Sequence, residues 1–125
     1  MPFGAALVID GEVAATGHNR QIQDLRLLAN AEMECLNGYL EGHAGPLADA
    51  ILVATEAPCP MCAGAAVVAG IRTVVIGERH HYAGAADWLV DQGVRVQVLD
   101  DPACIELVDR FRRDSADLWA RFSAG

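Results

Sequence analysis

Cys59 and Cys62 are the two residues whose types and spacing point most directly to chemistry. They form a C-x-x-C pair around Pro60, and because proline favours the first position of a helix, Cys59 is predicted to be the N-cap. Two thiolates three residues apart on a first helical turn can share one tetrahedral metal ion, and a helix N-terminus lowers the pKa of both. Taken alone, the pair is also compatible with a redox site of the thioredoxin type or with inert packing.

Glu32 is the second chemical candidate, in the segment Asn30-Ala31-Glu32 at the start of the preceding helix. Helices that follow neighbouring parallel strands begin at the same edge of a sheet, so we expect Glu32 to lie near the cysteine pair. Together with Pro58-Cys59-x-x-Cys62, this segment differs by one residue from the H-x-E…P-C-x-x-C signature of zinc deaminases. The alternative role for Glu32 is that of a first-turn carboxylate that stabilises the helix dipole.

Short strands and helices must position these residues, and the hydrophobic pattern predicts that they alternate. Asp10-Gly11 has the composition of a two-residue hairpin turn. The predicted strands are 3–9, 12–16, 50–55, 73–76 and 94–99, and the predicted helices are 31–40, 60–69, 83–92 and 102–122. This alternation favours a largely parallel sheet, with an antiparallel first pair, between layers of helices.

Further motifs extend the match along nearly the whole chain: Gly17-His18-Asn19, Met61-Cys62-x-Gly64-Ala65, Val75-x-Gly77-Glu78, Asp100-Asp101-x-x-Cys104 and Trp119. On these residues the chain resembles the cytidine deaminase-like superfamily, and within it yeast-type cytosine deaminases and related nucleobase deaminases. The resemblance implies one α/β domain over residues 1–125, a three-layer α/β/α sandwich around a mixed five-stranded sheet. It also implies a homodimer, and a helix before the first strand that this sequence would lack.

The same resemblance implies a zinc-dependent hydrolytic deaminase that releases ammonia from a free nucleobase. Zinc would be held by Cys59, Cys62 and the residue at position 30, and it would activate a water. Glu32 would be the catalytic residue that moves protons between this water and the base. The expected substrate-binding residues are Asn19, Ala31, Ala57, Tyr82, Trp119 and Phe122.

Three positions depart from the family pattern, and each affects what the site could do. Asn30 stands where the family has a zinc-binding histidine, and asparagine is a weak zinc ligand but a good N-cap. Asn30 could therefore be the third ligand, a substitute could come from His18, His81 or Cys35, or metal binding could be impaired. Phe122 and Ala57 replace a carboxylate and a small hydroxyl residue, so isocytosine or a purine could be the substrate instead of cytosine.

Composition narrows the class of protein further. The chain has 125 residues, a formal net charge of −8 and a hydrophobic fraction of 53%, which excludes intrinsic disorder and disfavours a nucleic-acid partner. No apolar run is long enough to cross a membrane, and the first residues lack a signal-peptide pattern, so we expect a cytoplasmic protein. Two alternatives remain: a tRNA adenosine-type deaminase, and a metal-free protein with an inactive deaminase fold.

Overall fold

A mixed five-stranded sheet in the order β2-β1-β3-β4-β5 forms the centre of the computed structural model, which describes residues 1–123. The strands are β1 Gly4–Ile9, β2 Glu12–His18, β3 Ile51–Glu56, β4 Thr73–Glu78 and β5 Arg95–Val98. The helices are α1 Ala31–Leu40, α2 Pro60–Val68, α3 Ala86–Asp91, α4 Pro102–Asp114 and α5 Ala116–Phe122. This architecture confirms the predicted α/β fold class.

The direction of the strands corrects the expectation of a largely parallel sheet. β1 is antiparallel to both of its neighbours, β2 and β3, and the parallel part is confined to β3, β4 and β5. The reason is that α1 connects β2 to β3, two strands that run the same way on either side of β1. The β1–β2 hairpin turns at Asp10 and Gly11, both with positive φ (54° and 77°), as the sequence predicts.

The predicted C-terminal helix over 102–122 is wrong in one respect, because the structure divides it at Ser115. That residue has φ −140° and ψ 49°, outside the helical region, so α4 ends at Asp114 and α5 starts at Ala116. The apolar stripe continues across the break, which is why periodicity alone joins the two helices. The third helix is also shorter than predicted, since it begins at Ala86 after Gly84, which has φ 57°.

Gly17 on β2 allows α1 to lie directly against the sheet. A Cβ atom at this position would stand 2.5 Å from both the carbonyl oxygen of Ala31 and the backbone nitrogen of Cys35. Any larger residue must therefore displace the helix that carries Glu32. None of the helices described is long and apolar enough to cross a membrane.

We expect Gly17→Ala to lower the free energy of unfolding by roughly 1–3 kcal/mol, because it overpacks the contact between β2 and α1. Gly38→Ala is the matched control on α1, where no described atom lies within 4 Å of the added methyl group. That change should be neutral or stabilising by up to about 1 kcal/mol, because alanine is the better helix former. Urea denaturation measures both, and equal stability of the two variants would contradict the close approach.

Candidate active site

One cavity of about 460 Å³ lies where β3 and β4 end and where α1 and α2 begin. All the predicted site residues except Ala31 and Cys62 line it: Asn19, Asn30, Glu32, Ala57, Cys59, Tyr82, Trp119 and Phe122. Ala31 and Cys62 are fully buried next to lining residues. The structure thus brings together side chains that are far apart in the sequence, from Asn19 to Phe122.

The cysteine pair occupies the start of α2, as predicted. Cys59 is the N-cap, Pro60 follows at the first helical position, and the backbone N–H of Cys62 donates to the Cys59 sulfur at 3.5 Å. The two sulfurs are also 3.5 Å apart, close to the roughly 3.8 Å that tetrahedral zinc imposes on two thiolates. The hydrogen bond between the thiols lowers the pKa of Cys59 and raises that of Cys62, and backbone N–H groups of α2 lower the former further.

Asn30 stands at the N-cap position of α1 but makes no capping hydrogen bond with its side chain within residues 1–123. Its Nδ2 atom instead donates to the Cys59 sulfur at 3.3 Å, and its buried Oδ1 atom has no partner among the described residues. An amide that faces a thiol pair with an orphaned oxygen fits the third position of a metal site. This donor set is compatible with zinc, although an amide oxygen is a weaker ligand than imidazole.

The three substitutes considered for the third ligand are engaged elsewhere. His18 contacts Arg20 at 3.2 Å, and Cys35 donates to the carbonyl of Ala15. His81 lines the cavity, but its two ring nitrogens contact Glu78 and Asp109. Residues 1–123 contain no cluster of three His, Cys, Asp or Glu side chains arranged to hold a metal, and the Asn30 amide is hydrogen-bonded to the Cys59 sulfur.

Glu32 lies in the first turn of α1 with only 7% of its surface exposed. Burial raises the pKa of its carboxyl to about 7, while a hydrogen bond with the Cys62 side chain acts in the opposite direction. A carboxyl with such a pKa can both accept and release a proton near neutral pH. Its contact with the thiol pair is what the spacing of the two sequence motifs predicts.

Aromatic side chains and one buried amide form the rest of the cavity wall. Trp119 packs edge-on against Phe3, with ring centroids 6.4 Å apart, and so fixes α5 against the start of β1. The Asn19 side chain is buried and held by Gln21, since its Nδ2 donates to Oε1 at 2.8 Å and its Oδ1 accepts from the backbone nitrogen at 3.0 Å. These contacts preorganise a mostly apolar pocket with a few polar groups.

The sequence interpretation missed a chain of ionisable side chains behind the cavity. Glu56, the last residue of β3, lines the cavity and is 94% buried. It lies opposite the fully buried Glu78 of β4, which accepts from Nδ1 of His81 at 2.9 Å. Nε2 of His81 in turn contacts Asp109 of α4 at 2.7 Å. The available signal was an acidic residue at the end of a predicted buried strand, three positions before Cys59.

Glu56 makes the stability of the protein depend on pH. Burial, and then the neighbouring Glu78, raise the pKa of Glu56 from 4.5 to about 8, and Glu32 adds to this. Between these two values the folded state binds more protons than the unfolded state, so stability falls as the pH rises. We expect Glu56→Gln, which cannot ionise, to be more stable than the parent by up to a few kcal/mol at about pH 9 and not at about pH 5.

Denaturation midpoints at both pH values measure this effect. Glu12→Gln on the exposed edge strand is the control and should show no pH-dependent difference. If Glu56→Gln were stabilised as much at low pH as at high pH, the gain would not come from removing a buried ionisable carboxyl.

At one edge of the mixed sheet a thiol pair, a facing amide and a buried carboxyl lie together, an arrangement compatible with a metal-dependent hydrolase. Comparison with known proteins agrees, since the family model "Cytidine and deoxycytidylate deaminase zinc-binding region" matches residues 1–78. The cytosine deaminase of Candida albicans is 33% identical over 122 residues, which are 95% of this chain and 80% of that protein. The chain therefore belongs to the cytidine and deoxycytidylate deaminase family and is a hydrolytic deaminase.

Two further relatives differ in the substrates that their names state. The tRNA-specific adenosine deaminase of Bacillus subtilis is 41% identical over 78 residues, 62% of this chain and 48% of that protein. The solved guanine deaminase of Nitrosomonas europaea superimposes with a TM-score of 0.70 and 25% identity, covering 90% of this chain and 73% of its own. Family membership alone thus leaves the substrate to be argued from the site.

Proposed function

We propose that this chain is a zinc-dependent deaminase of a free nucleobase or a similar amino-heterocycle, from which it releases ammonia. The observation that carries the proposal is the buried Glu32 carboxyl beside the Cys59–Cys62 pair, at one end of a cavity of about 460 Å³. A cavity of this size is within the range of small-molecule sites and has room for a one- or two-ring base.

Cys59, Cys62 and Asn30 would hold the zinc ion, since the Cys59 sulfur lies 3.5 Å from the Cys62 sulfur and 3.3 Å from the Asn30 amide nitrogen. When bound, zinc acts as a Lewis acid that brings the pKa of water to around 7. The low pKa of Cys59 favours its thiolate form, which metal binding requires.

Glu32 would carry the protons in the reaction. It takes one proton from the attacking water and gives it to the ring nitrogen next to the reacting carbon, which becomes tetrahedral. It then takes the second proton of the same water and transfers it to the departing amino group, so that the C–N bond breaks and ammonia leaves. A carboxyl pKa of about 7 suits both transfers.

The substrate ring would be held flat between Tyr82, Trp119 and Phe122. Asn19 and the backbone at Ala31 and Ala57 would bind its polar edge, as the resemblance implies. Two relatives whose names give nucleobase substrates, cytosine deaminase and guanine deaminase, support this class. A net charge of −8 supports a small substrate over a phosphate backbone.

The second candidate is editing of adenosine in tRNA, which the similarity to the Bacillus subtilis enzyme favours. The two candidates differ in whether the reacting base is a free molecule or part of a tRNA. Ammonia release from cytosine, isocytosine, guanine and adenine by zinc-loaded protein tests the first, and tRNA binding at low salt tests the second. Binding and deamination of tRNA without turnover of any free base would refute the proposal.

Substitutions at Asn30 test whether its amide is a zinc ligand. We expect Asn30→His to raise zinc affinity, because zinc prefers imidazole to an amide oxygen, and Asn30→Ala to lower it, by roughly tenfold or more in each direction. Competition with a chelating dye measures both affinities. Asn37→Ala, on the exposed face of the same helix, is the control. Equal affinity of Asn30→Ala and the parent chain would show that the amide is not a ligand.

We also propose a single cytoplasmic domain that pairs as a homodimer. The resemblance implies the dimer, and an apolar cleft between α1 and α2, where Val68 is 89% exposed, supports it. Light scattering of the purified protein tests the oligomeric state.

A further inference from the structure

Glu56 is a polar residue that lines the cavity and to which the proposed mechanism gives no task. Glu32 and Asn30 face the thiol pair, and the Asn19 amide is already held by Gln21. The Glu56 side chain lines the cavity, is 94% buried, and its Oε2 atom has no hydrogen-bond partner within residues 1–123. A buried carboxyl without a partner is costly, which indicates that a proton or a ligand completes its hydrogen bonds.

The neighbours of Glu56 determine where that proton lies. Glu78 lies directly opposite Glu56 in the register of β3 and β4, and two buried carboxyls that are neighbours disfavour each other's ionisation. Glu78 already accepts hydrogen bonds from the backbone nitrogens of His80 and His81 and from the ring of His81. Three donors thus already face the Glu78 carboxyl, whereas Glu56 keeps an unpartnered oxygen, so we assign the proton of the pair to Glu56.

The surroundings of Glu56 reinforce this assignment. Asp109 holds the far side of the His81 ring at 2.7 Å, so the imidazole is fixed against Glu78. The other ionisable groups that act on Glu56 are Glu32 of α1 and Tyr82 after β4, and neither brings a positive charge that would favour its ionisation. Burial together with Glu78 raises the pKa of Glu56 to about 8, in agreement with the geometry.

We propose that Glu56 determines which heterocycle the site accepts: as a neutral acid it donates a hydrogen bond to Glu78 and offers its other oxygen to an N–H group of the substrate ring. This inference rests on the proposed function, because it names the edge of the base that the same site recognises. The substrate class is an aminopyrimidine or aminopurine with a ring N–H or a second amino group away from the reacting carbon.

A base that lacks this N–H group would leave two acceptors facing each other in a buried pocket. Sites built around a buried hydrogen bond reject analogues that cannot form it. Methylation of the nitrogen that meets Glu56 should therefore weaken binding by at least about tenfold.

The test compares the zinc-loaded parent protein with Glu56→Gln and Glu56→Leu. Isothermal titration calorimetry measures the dissociation constants of cytosine, isocytosine and guanine and of their ring-N-methyl derivatives, and ammonia release measures kcat/KM for the same set. The amide of Glu56→Gln can donate to Glu78 and accept from the ring, so this variant should keep the preference for the N–H base. Leucine can do neither, so in Glu56→Leu the ratio of the dissociation constants of the N-methyl and the N–H base should fall to about one.

Thermal melting of both variants shows whether the fold is kept, and the same two changes at the exposed Glu12 are the control. A preference unchanged in Glu56→Leu would overturn the inference while ammonia release by the parent still supports the proposed function. A binding preference that depends on Glu56, without ammonia release from any base, would support the inference about Glu56 and overturn the proposed function. Loss of the preference in Glu56→Gln as well as Glu56→Leu would overturn the assignment of a neutral acid.

Discussion

Replacing Glu32 by glutamine is expected to lower kcat for ammonia release by about 10²–10⁴-fold, the usual contribution of a positioned acid–base group. The amide has the size of the carboxyl but can neither take the proton of the attacking water nor return it to the leaving group. Burial raises the pKa of Glu32 to about 7, so the folded protein tolerates an uncharged side chain at this position. We therefore expect Glu32→Gln to be as stable as the parent. Steady-state kinetics and thermal melting measure the two effects separately.

Glu34→Gln is the matched control for this prediction. Glu34 lies one position beyond Met33 on the same helix, but its carboxyl points to Arg26, at 2.9 Å, instead of the thiol pair. We expect the kcat of Glu34→Gln to stay close to that of the parent protein. Full activity in Glu32→Gln would contradict the proton-transfer role and with it the proposed mechanism.

Removal of the Cys62 thiol is expected to abolish stoichiometric zinc binding and, with it, ammonia release. Cys62→Ala leaves one thiolate and an amide, too few strong donors for zinc, and structural zinc sites derive about 10–16 kcal/mol of binding free energy from their complete ligand set. Elemental analysis after dialysis against a weak chelator measures the bound metal. Cys59→Ala should give the same result, since the two sulfurs are neighbours at 3.5 Å.

Cys104→Ala separates loss of this site from the general loss of a thiol. Cys104 lies in the first turn of α4 and does not line the cavity. The Cys104→Ala protein should therefore keep its full zinc content. If Cys62→Ala also retained one zinc per chain, the C-x-x-C pair would not be the metal site.

The parts of the site that the sequence predicts are those set by local structure. Proline at the first helical position and the spacing of Cys59 and Cys62 determine the geometry of the thiol pair within a single turn. Asn30 and Glu32 likewise share one helix start, and the order of the elements then brings both helix starts to one sheet edge. Asn30 shows the limit of local reasoning, because its residue type predicts a cap and its side chain instead meets a sulfur 29 residues away.

The carboxyl pair and its histidine could not be predicted in this way. Glu56 and Glu78 meet because of the register between β3 and β4, and His81 meets Asp109 across 28 residues. No periodicity within either segment encodes these pairings. Periodicity does not predict the break at Ser115 for a related reason, since the apolar stripe continues while the backbone leaves the helical conformation.

The contact between Phe3 and Trp119 has a consequence for how the protein is made. The cavity wall combines Met1 and Phe3, just before β1, with Trp119 and Phe122 of α5, so the wall is complete only after α5 has been synthesised. Asn30, Cys59 and Cys62, by contrast, all precede the end of α2 in the chain. The residues proposed to hold the ion are therefore synthesised before the last part of the proposed base-binding wall.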